Sequence, residues 1–226
     1  MKKMNVLVAC EESQVVCKAF REKGHNAFSC DIQEPSGNHP EWHFLGDALP
    51  LLSGGKILTM DGTWQDIDKW DLLIAHPPCT FMCNASAMRM RVKGQIVPER
   101  YEKAMQARAF FMEFYNSDIP HIAIENPVPM KLIGLPPYTQ IIQPYEYGHP
   151  YSKRTCLWLK SLPKLKPTKI IDKHEPYING GYKDAQGKYK RFPGRHERDQ
   201  TVRSRTFPGI AQAMADQWSD LDDSDE

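Results

Sequence analysis

Residues 71–80 of the chain read DLLIAHPPCT, four apolar residues between an aspartate and a run of chain breakers. A short apolar run bounded in this way is typical of a strand buried on both faces of a parallel sheet. The strand has to end before Pro77 and Pro78, because proline fixes φ and has no N–H to donate. Cys79 therefore follows the carboxyl end of a central strand, where open α/β sheets bind their ligands. There it is either a candidate nucleophile or a small buried hydrophobe.

Length and composition place the chain among ordinary globular proteins. It has 226 residues, of which 41% are hydrophobic and 25% charged, enough to bury one core with a modest appendage. No run is long or apolar enough to span a membrane, and the N-terminus has no signal-peptide core. The six cysteines follow no disulfide-framework spacing. We therefore expect a reduced, cytoplasmic protein.

A strand–helix–strand unit opens the chain. Residues 5–9 form an apolar run, and residues 14–23 follow a helical pattern with Ser13 as the expected N-cap. Residues 25–32 form a second strand that ends at Asp31. Units of this kind bind nucleotides, and the acid at the second strand end accepts hydrogen bonds from ribose hydroxyls. The usual glycine-rich turn is missing, so Asp31 is either such an acid or a solvated loop residue.

The rest of the chain continues the alternation of strands and helices. Further strands are expected at residues 42–45, 119–124, 140–143 and 155–159, and further helices at residues 99–116 and 208–218. The polar, methionine-rich residues 81–91 after Cys79 are expected to form a mobile loop. Together these patterns predict an α/β fold with a mostly parallel sheet and helices on both faces.

Residues 163–205 have a different character, because they are poor in aliphatic residues and their second half is basic with interleaved aromatic residues. Basic and aromatic side chains on an irregular segment suit a phosphate backbone and unstacked bases. The alternative is a solvated excursion without a ligand. The acidic tail, residues 220–226, is expected to be disordered. The candidate nucleic-acid contacts, here and in the loop after Cys79, are Arg89, Arg91, Lys183, Lys188, Lys190 and Arg191.

Three chemically active side chains stand at or near strand ends, namely Cys79, Glu125 and Arg154. The thiol can add to an electron-poor ring carbon, and the carboxyl can hold or protonate a ring nitrogen, which makes that carbon more electrophilic. The guanidinium can orient the adduct and stabilise negative charge. This set fits attack on C6 of a pyrimidine, which turns C5 into a carbon nucleophile.

Pro77-Pro78-Cys79, Glu125-Asn126 and the segment from Tyr147 to Arg154 resemble, in the same order, motifs of the cytosine-C5 DNA methyltransferases. The resemblance covers most of the chain, which looks like a short member of phage or prophage type. It implies a Rossmann-like methyltransferase fold, S-adenosylmethionine as cofactor, double-stranded DNA as partner and the cytoplasm of a bacterial host as location. Cys79 would attack C6 of a flipped-out cytosine, Glu125 would contact N3, and C5 would take the methyl group.

The resemblance also implies a cofactor site and an order of domains. Asp31 stands where the family has the acid that meets the cofactor ribose, and Asp47 where an acid meets the adenine amine. The implied cofactor-binding residues are Ala9, Cys10, Glu11, Glu12, Ser13, Asp31, Ile32, Asp47, Ala48 and Pro77. The implied domains are a catalytic and cofactor-binding domain (1–162), a small basic target-recognition segment (163–203), a returning C-terminal helix (204–219) and the tail (220–226).

The chain departs from the family in ways that keep other functions open. Its first loop lacks the usual glycines, and a single basic pair, Lys153-Arg154, stands where the family has a longer motif. One alternative is a catalytically idle fold that binds nucleic acid or blocks another enzyme. Another is C5 modification of a free nucleotide. A zinc site at His76, Cys79 and Cys83 is disfavoured, because their spacing matches no common zinc motif.

Overall fold

A computed structural model describes residues 2–177, 181–191 and 203–221 of the chain. In these ranges the helices are α1 (Val15–Glu22), α2 (Ala87–Met90), α3 (Pro98–Tyr115) and α4 (Pro208–Gln217). The strands are β1 (Asn5–Ala9), β2 (Asn26–Asp31), β3 (His43–Leu45), β4 (Gly55–Leu58), β5 (Trp64–Ile67), β6 (Leu72–Ala75), β7 (Arg91–Val92), β8 (Gln95–Ile96), β9 (His121–Pro127), β10 (Gln140–Ile142), β11 (Tyr151–Ser152), β12 (Thr155–Lys160), β13 (Glu175–Pro176), β14 (Gly181–Lys183) and β15 (Tyr189–Arg191).

Seven of these strands form one sheet in the order β10-β12-β9-β6-β1-β2-β3. Strands β3, β2, β1, β6 and β9 are parallel, whereas β12 runs antiparallel to both of its neighbours. From β1 the chain first adds strands on one side of the sheet and then returns to add β6 and β9 on the other. The order therefore reverses between β1 and β6, which is where open α/β sheets bind ligands. This topology confirms the expected Rossmann-like methyltransferase fold with a mostly parallel sheet.

Helices cover both faces of the sheet because its central strands are apolar on both sides. All four residues of β6 are buried, as its unbroken apolar sequence predicts. Helices α1 and α4 pack together on one face, with Phe20, Met214 and Trp218 in the core. Helix α3 covers the other face with Phe111 and Phe114. Within the described ranges, no helix has both the length and the apolar character needed to cross a membrane.

The N-terminal cap of α1 differs from the sequence prediction, which placed Ser13 there. The N-cap residue is Gln14, at φ 58°, and its side chain makes no capping hydrogen bond. Glu11 takes over this role, because its carboxylate accepts the backbone N–H of Val16 at 2.6 Å and of Cys17 at 3.2 Å. The first turn of a helix has free N–H groups and a positive dipole end, and a carboxylate satisfies both.

The segment after Cys79 also differs from the prediction of a mobile loop over residues 81–91. It contains a 3₁₀ turn at Asn84–Ser86 followed by α2, and Met82 and Met90 are buried in the same core as α3. Methionine side chains are apolar and flexible enough to fill irregular gaps, so a methionine-rich stretch can anchor a loop. The hairpin of β4 and β5 was not predicted, because these strands are short and largely exposed.

Candidate active site

The turn that carries Cys79 is held from both neighbouring strands of the sheet. The N–H of His76 donates to the carbonyl oxygen of Ala9 at 2.9 Å, which extends the pairing of β6 with β1. From β9, the buried side chain of Asn126 donates through Nδ2 to the carbonyl oxygen of Pro77 at 2.8 Å. The backbone on the N-terminal side of Cys79 is therefore fixed at two points. Cys79 itself is partly exposed, as access by a substrate requires.

Cys79 and Cys83 lie at the two ends of one hydrogen-bonded turn. The N–H of Cys83 donates to the carbonyl oxygen of Cys79 at 3.1 Å. The hydrogen bond between the two thiols and burial raise the pKa of Cys79, and negative charge on Cys83 or Glu125 raises it further. The same hydrogen bond lowers the pKa of Cys83, whose sulfur also lies 3.8 Å from Oγ of Ser86. Deprotonation of Cys79 therefore depends on the state of Cys83.

Glu125 lies on the neighbouring strand β9 and meets His76 at the end of β6. Its Oε2 is 3.2 Å from Nδ1 of His76, and its side chain is 13% exposed. Burial acts to raise the pKa of Glu125, but the hydrogen bond from His76 and the positive charge of Lys153 outweigh it and hold this pKa below its ordinary value. The carboxylate in turn interacts electrostatically with Cys79. Thiol, carboxylate and ammonium therefore form one coupled group.

The cation of this group is Lys153, whereas the sequence reasoning selected Arg154. Lys153 lowers the pKa of both Glu125 and Cys79, and its Nζ donates to the carbonyl oxygen of Arg203 at 3.1 Å. Arg154 is exposed. The two basic residues lie between β11 and β12, and of the two it is Lys153 whose charge acts on both Glu125 and Cys79.

Two acids stand at the ends of the strands on the other side of β1. Asp31 ends β2 and Asp47 follows β3, and both lie close enough to Cys10 to add to the effect of burial in raising the pKa of its thiol. Each carboxylate accepts a local backbone N–H through Oδ1, from Gln33 at 3.0 Å and from Leu49 at 3.1 Å. Their Oδ2 atoms take no part in these hydrogen bonds. Two acceptors therefore converge at the carboxyl edge of the sheet.

The other residues of the implied cofactor site offer different groups. Ile32 is 79% exposed beside Asp31 and presents an apolar surface. Glu11 is only 4% exposed, and its carboxylate is occupied by α1. Glu12 accepts a hydrogen bond from Arg205 at 3.0 Å. Side chains buried at this edge are those of Ala9, Ser13, Ala48 and Pro77.

The segment before α4 crosses the carboxyl edge of the sheet. Arg205 pairs through Nε with Glu12 of the first loop and donates through Nη2 to Oγ of Ser36 at 2.9 Å. Phe207 lies among aromatic rings, with centroids 4.8 Å from Tyr177 and 6.0 Å from Tyr151. This segment therefore joins the loops after β1 and β2 to the residues around Lys153.

The basic residues expected to contact nucleic acid lie on α2 with the β7–β8 hairpin that follows it, and on a second hairpin. Arg89 and Arg91, on α2 and β7, are exposed. The second hairpin is formed by β14 and β15, where Lys188 is exposed and Lys190 is 3.3 Å from Asp184. Lys183 and Arg191 belong to these two strands, but their side chains lie outside the described part of the structure, as do residues 178–180, 192–202 and the tail from 222 to 226.

Sequence reasoning assigned no role at this edge to three of its residues, His76, Lys153 and Arg205. His76 gave a usable signal, because a polar residue that ends a strand buried on both faces has to find a polar partner. Lys153 could not be separated from its basic neighbour, because both lie between β11 and β12 and no local pattern indicates which of them acts on Glu125. Arg205 depends on a contact between segments far apart in the chain. Among the described residues, no group of three or more His, Cys, Asp or Glu side chains is arranged to hold a metal ion.

Comparisons with solved structures reveal limited similarity. A protein named for DNA modification methyltransferase activity, encoded within a prophage (E. coli), is 14% identical with a TM-score of 0.43; the match covers 75% of this chain and 52% of that chain. The Entamoeba histolytica methyltransferase EhMeth is 16% identical with a TM-score of 0.44, over 76% of this chain and 58% of that chain. The present chain thus spans little more than half the length of either. No protein-family model matches it, and no curated protein does.

Proposed function

We propose that this protein is a DNA (cytosine-5-)-methyltransferase that uses S-adenosylmethionine. The observation that carries the proposal is a hydrogen bond between the ends of β9 and β6. Asn126, next to Glu125 on β9, donates it to the turn that carries Cys79. A nucleophilic thiol beside a carboxyl group suits a reaction in which one ring atom is attacked while another is held. Lys153 adds a positive charge that acts on both groups.

In the proposed reaction, Sγ of Cys79 forms a bond to C6 of a cytosine turned out of the duplex, because C6 cannot be reached within the base stack. The π electrons of the C5–C6 bond move toward C4 and N3, N3 takes a proton from the side of Glu125, and C5 becomes nucleophilic. S-adenosylmethionine, when bound, supplies the electrophilic methyl group for C5. Removal of the C5 proton by a base and departure of Sγ from C6 then release 5-methylcytosine.

The ends of β1, β2 and β3 fit an adenosine carrying a sulfonium group. The carboxylates of Asp31 and Asp47 converge near Cys10 and each has an oxygen available for ribose hydroxyls or the adenine amine. Two carboxylates also favour a ligand with a positive charge. Ile32 provides an exposed apolar surface beside them. Because the carboxylate of Glu11 accepts N–H groups of α1, we propose that Glu11 contacts the cofactor through its backbone only.

Double-stranded DNA is the proposed partner, with phosphates on the exposed basic residues. We propose residues 1–162 as the catalytic and cofactor-binding domain and residues 163–203 as a small recognition segment. Residues 204–219 return to the catalytic domain, since α4 packs on α1. A segment of this size favours contacts to phosphates over contacts to base edges, so sequence specificity is expected to be short or relaxed.

The proposal is tested by incubating the protein with radiolabelled S-adenosylmethionine and double-stranded DNA, followed by nucleoside analysis. We expect labelled 5-methylcytosine with wild-type protein and none with Cys79→Ala, because Cys79 is the residue that the proposal assigns to the C6 bond. DNA containing 5-fluorocytosine should trap wild-type protein covalently, since fluorine cannot leave C5 as a proton does. Glu125→Gln should lower the rate by about 10²–10⁴-fold.

The alternatives give different results in the same experiment. Label in free cytosine nucleotides but not in DNA indicates nucleotide modification. No transfer, together with no binding of S-adenosylmethionine by calorimetry, indicates the idle fold that binds nucleic acid.

A further inference from the structure

Cys79 and Cys83 are two thiols that the fold holds together at one turn. The carbonyl oxygen of Cys79 accepts the N–H of Met82 at 3.0 Å and the N–H of Cys83 at 3.1 Å, and the two thiols are joined by a hydrogen bond. Cys79 is partly exposed, whereas Cys83 is only 6% exposed and pairs with Pro129 in an isolated β-bridge. The proposed reaction needs the first thiol and leaves the second without a role.

The spacing of the pair is close to that of a disulfide. In a helical turn, the Cβ atoms of residues four apart are separated by about 5–6 Å, whereas the Cβ atoms of a disulfide are separated by about 3.5–4.5 Å. A local shift of about 1–2 Å therefore allows the two sulfurs to bond. Pro78 and Thr80, on either side of Cys79, are exposed, so this end of the turn has room to move while Cys83 stays anchored.

Of the six cysteines, all of which lie in the described ranges, Cys83 alone has a lowered pKa. Its hydrogen bond with Cys79 is the largest cause, and hydrogen bonds with Ser86 and with the backbone of Ala85 act in the same direction, whereas burial opposes them. Burial raises the pKa of the four cysteines outside the pair, Cys10, Cys17, Cys30 and Cys156. Because thiolates react with oxidants and thiols do not, the pair holds the sulfur of this chain that is most prone to oxidation.

We propose that Cys79 and Cys83 form an oxidation site, at which a small hydroperoxide such as hydrogen peroxide converts the two thiols to a disulfide. One sulfur attacks the peroxide, the O–O bond breaks, and a sulfenic acid forms with release of one water molecule. The other sulfur attacks the S–OH group, the S–S bond forms, and the second water molecule leaves. The two sulfurs together lose two electrons, which the peroxide gains, and the two thiol hydrogens end in the two water molecules.

Formation of the disulfide does not depend on the proposed function, but its consequence does. When Sγ of Cys79 is bound to Sγ of Cys83, it cannot form a bond to C6 of cytosine, so methyl transfer stops. A dithiol such as dithiothreitol reduces the disulfide by exchange and restores the free thiol. Cys83 also protects Cys79, because the disulfide forms before the sulfenic acid is oxidised further to sulfinic acid, which thiols do not reduce.

The test treats reduced, full-length protein with hydrogen peroxide, alkylates the remaining thiols with iodoacetamide after denaturation, and measures tryptic peptides without reduction. Trypsin leaves both cysteines in one peptide, residues 70–89. In wild type, we expect this peptide to lack both alkyl groups and to have two hydrogens fewer, and dithiothreitol should restore alkylation at both cysteines. In Cys83→Ala, Cys79 should instead gain the two oxygens of a sulfinic acid, which dithiothreitol does not remove. Cys17→Ala, at a buried cysteine of α1, should behave as wild type.

Two results in wild type overturn the proposal without any variant. One is alkylation of both cysteines after a peroxide dose that oxidises the exposed Met88, and the other is a disulfide that forms no faster in the folded protein than in urea. We expect the folded protein to be faster by about tenfold at pH 7, because the lower pKa of Cys83 increases its thiolate fraction. If reduced wild type forms no 5-methylcytosine, the proposed function fails, and the peptide masses still decide whether the pair is oxidised. Methyl transfer that persists in the disulfide form would instead overturn the role of Cys79 in the proposed reaction.

Discussion

Nδ2 of Asn126 donates a hydrogen bond to the carbonyl oxygen of Pro77 at 2.8 Å, and this bond ties β9 to the turn that carries Cys79. Pro77 and Pro78 have no backbone N–H, so these two residues cannot fix the start of the turn by donating hydrogen bonds. The amide of Asn126 supplies a donor from the adjacent strand instead. The Pro-Pro-Cys and Glu-Asn motifs, far apart in the sequence, are thus joined in the structure by this hydrogen bond.

Asn126→Ala should lower the free energy of unfolding by about 1–3 kcal/mol, because it leaves a buried carbonyl oxygen without its donor. It should also slow covalent trapping on 5-fluorocytosine DNA, since Cys79 is no longer held in one position. Urea unfolding and the trapping rate measure the two effects. Asn84→Ala, at an exposed asparagine beyond Cys79, is the matched control and should change neither. Equal behaviour of the two variants contradicts the assigned role.

Lys153→Met and Arg154→Met separate the two neighbouring cations. Removal of Lys153 should raise the pKa of both Glu125 and Cys79, because its charge lowers both. We expect methyl transfer to fall by about 10²-fold, as for loss of one fixed charge-stabilising group. Arg154→Met should stay within a fewfold of wild type, since Arg154 is exposed. The reverse ranking in steady-state assays would return the role to Arg154.

Cys83→Ala should make Cys79 more reactive toward alkylation near neutral pH. The largest cause of the raised pKa of Cys79 is its hydrogen bond with Cys83, so removing that sulfur should shift the pKa of Cys79 down toward its ordinary value. The measurement is the pH dependence of iodoacetamide labelling at Cys79, read by peptide mass spectrometry. Cys17→Ala, a buried cysteine of α1, serves as control. An unshifted labelling curve in Cys83→Ala disproves the coupling of the two thiols.

The sequence predicted most of the sheet but only part of the site. Strands can be recognised from consecutive residues, whereas the site depends on contacts between segments that are far apart in the chain. Strand β6 could be recognised because four consecutive apolar residues need burial on both faces. Cys79 and Glu125 followed from strand ends, which sequence patterns locate. The choice of Lys153 over Arg154 depends on the conformation of the two residues between β11 and β12, which no local pattern encodes. The cap of α1 by Glu11 also escaped prediction, because Ser13 matched the usual local rule.

Glu11→Gln should change how stability depends on pH. Burial raises the pKa of Glu11 above its ordinary value, so the folded protein binds this proton more tightly than the unfolded chain does. The resulting stabilisation is fully present below the unfolded pKa and is lost as pH rises through the folded pKa. Glutamine keeps an acceptor for the N–H groups of α1 without a charge. The free energy of unfolding of Glu11→Gln, relative to wild type, should therefore increase between pH 4 and pH 8.

Urea unfolding at both pH values measures this difference. Glu22→Gln, at the exposed end of the same helix, provides the control and should show no such trend. A difference between Glu11→Gln and wild type that is the same at both pH values would mean that Glu11 is ionised at little cost in the fold.

The hairpin of β14 and β15 is the proposed phosphate-binding surface, and its charge predicts a steep salt dependence of DNA affinity. Each phosphate contact releases counterions and adds about 0.9 to the slope of log K against log salt concentration. Replacing Lys188, Lys190 and Arg191 together by Ala should therefore flatten the slope by up to about 2.7 and weaken binding to all sequences alike. Binding of S-adenosylmethionine should survive, because Asp31 and Asp47 are unchanged.

The matched control replaces three exposed lysines at the opposite edge of the sheet, Lys3, Lys69 and Lys160. Both triple variants lose the same formal charge, so a general loss of positive charge should affect them equally. A contact surface on the hairpin should flatten the slope only in the first variant. Lys190 also pairs with Asp184 at 3.3 Å, but Asp184 accepts the backbone N–H groups of Gln186 and Lys188 as well, so the hairpin is expected to remain intact without Lys190. An unchanged slope in the first variant would move the DNA contacts to Arg89 and Arg91, on the segment that follows Cys79.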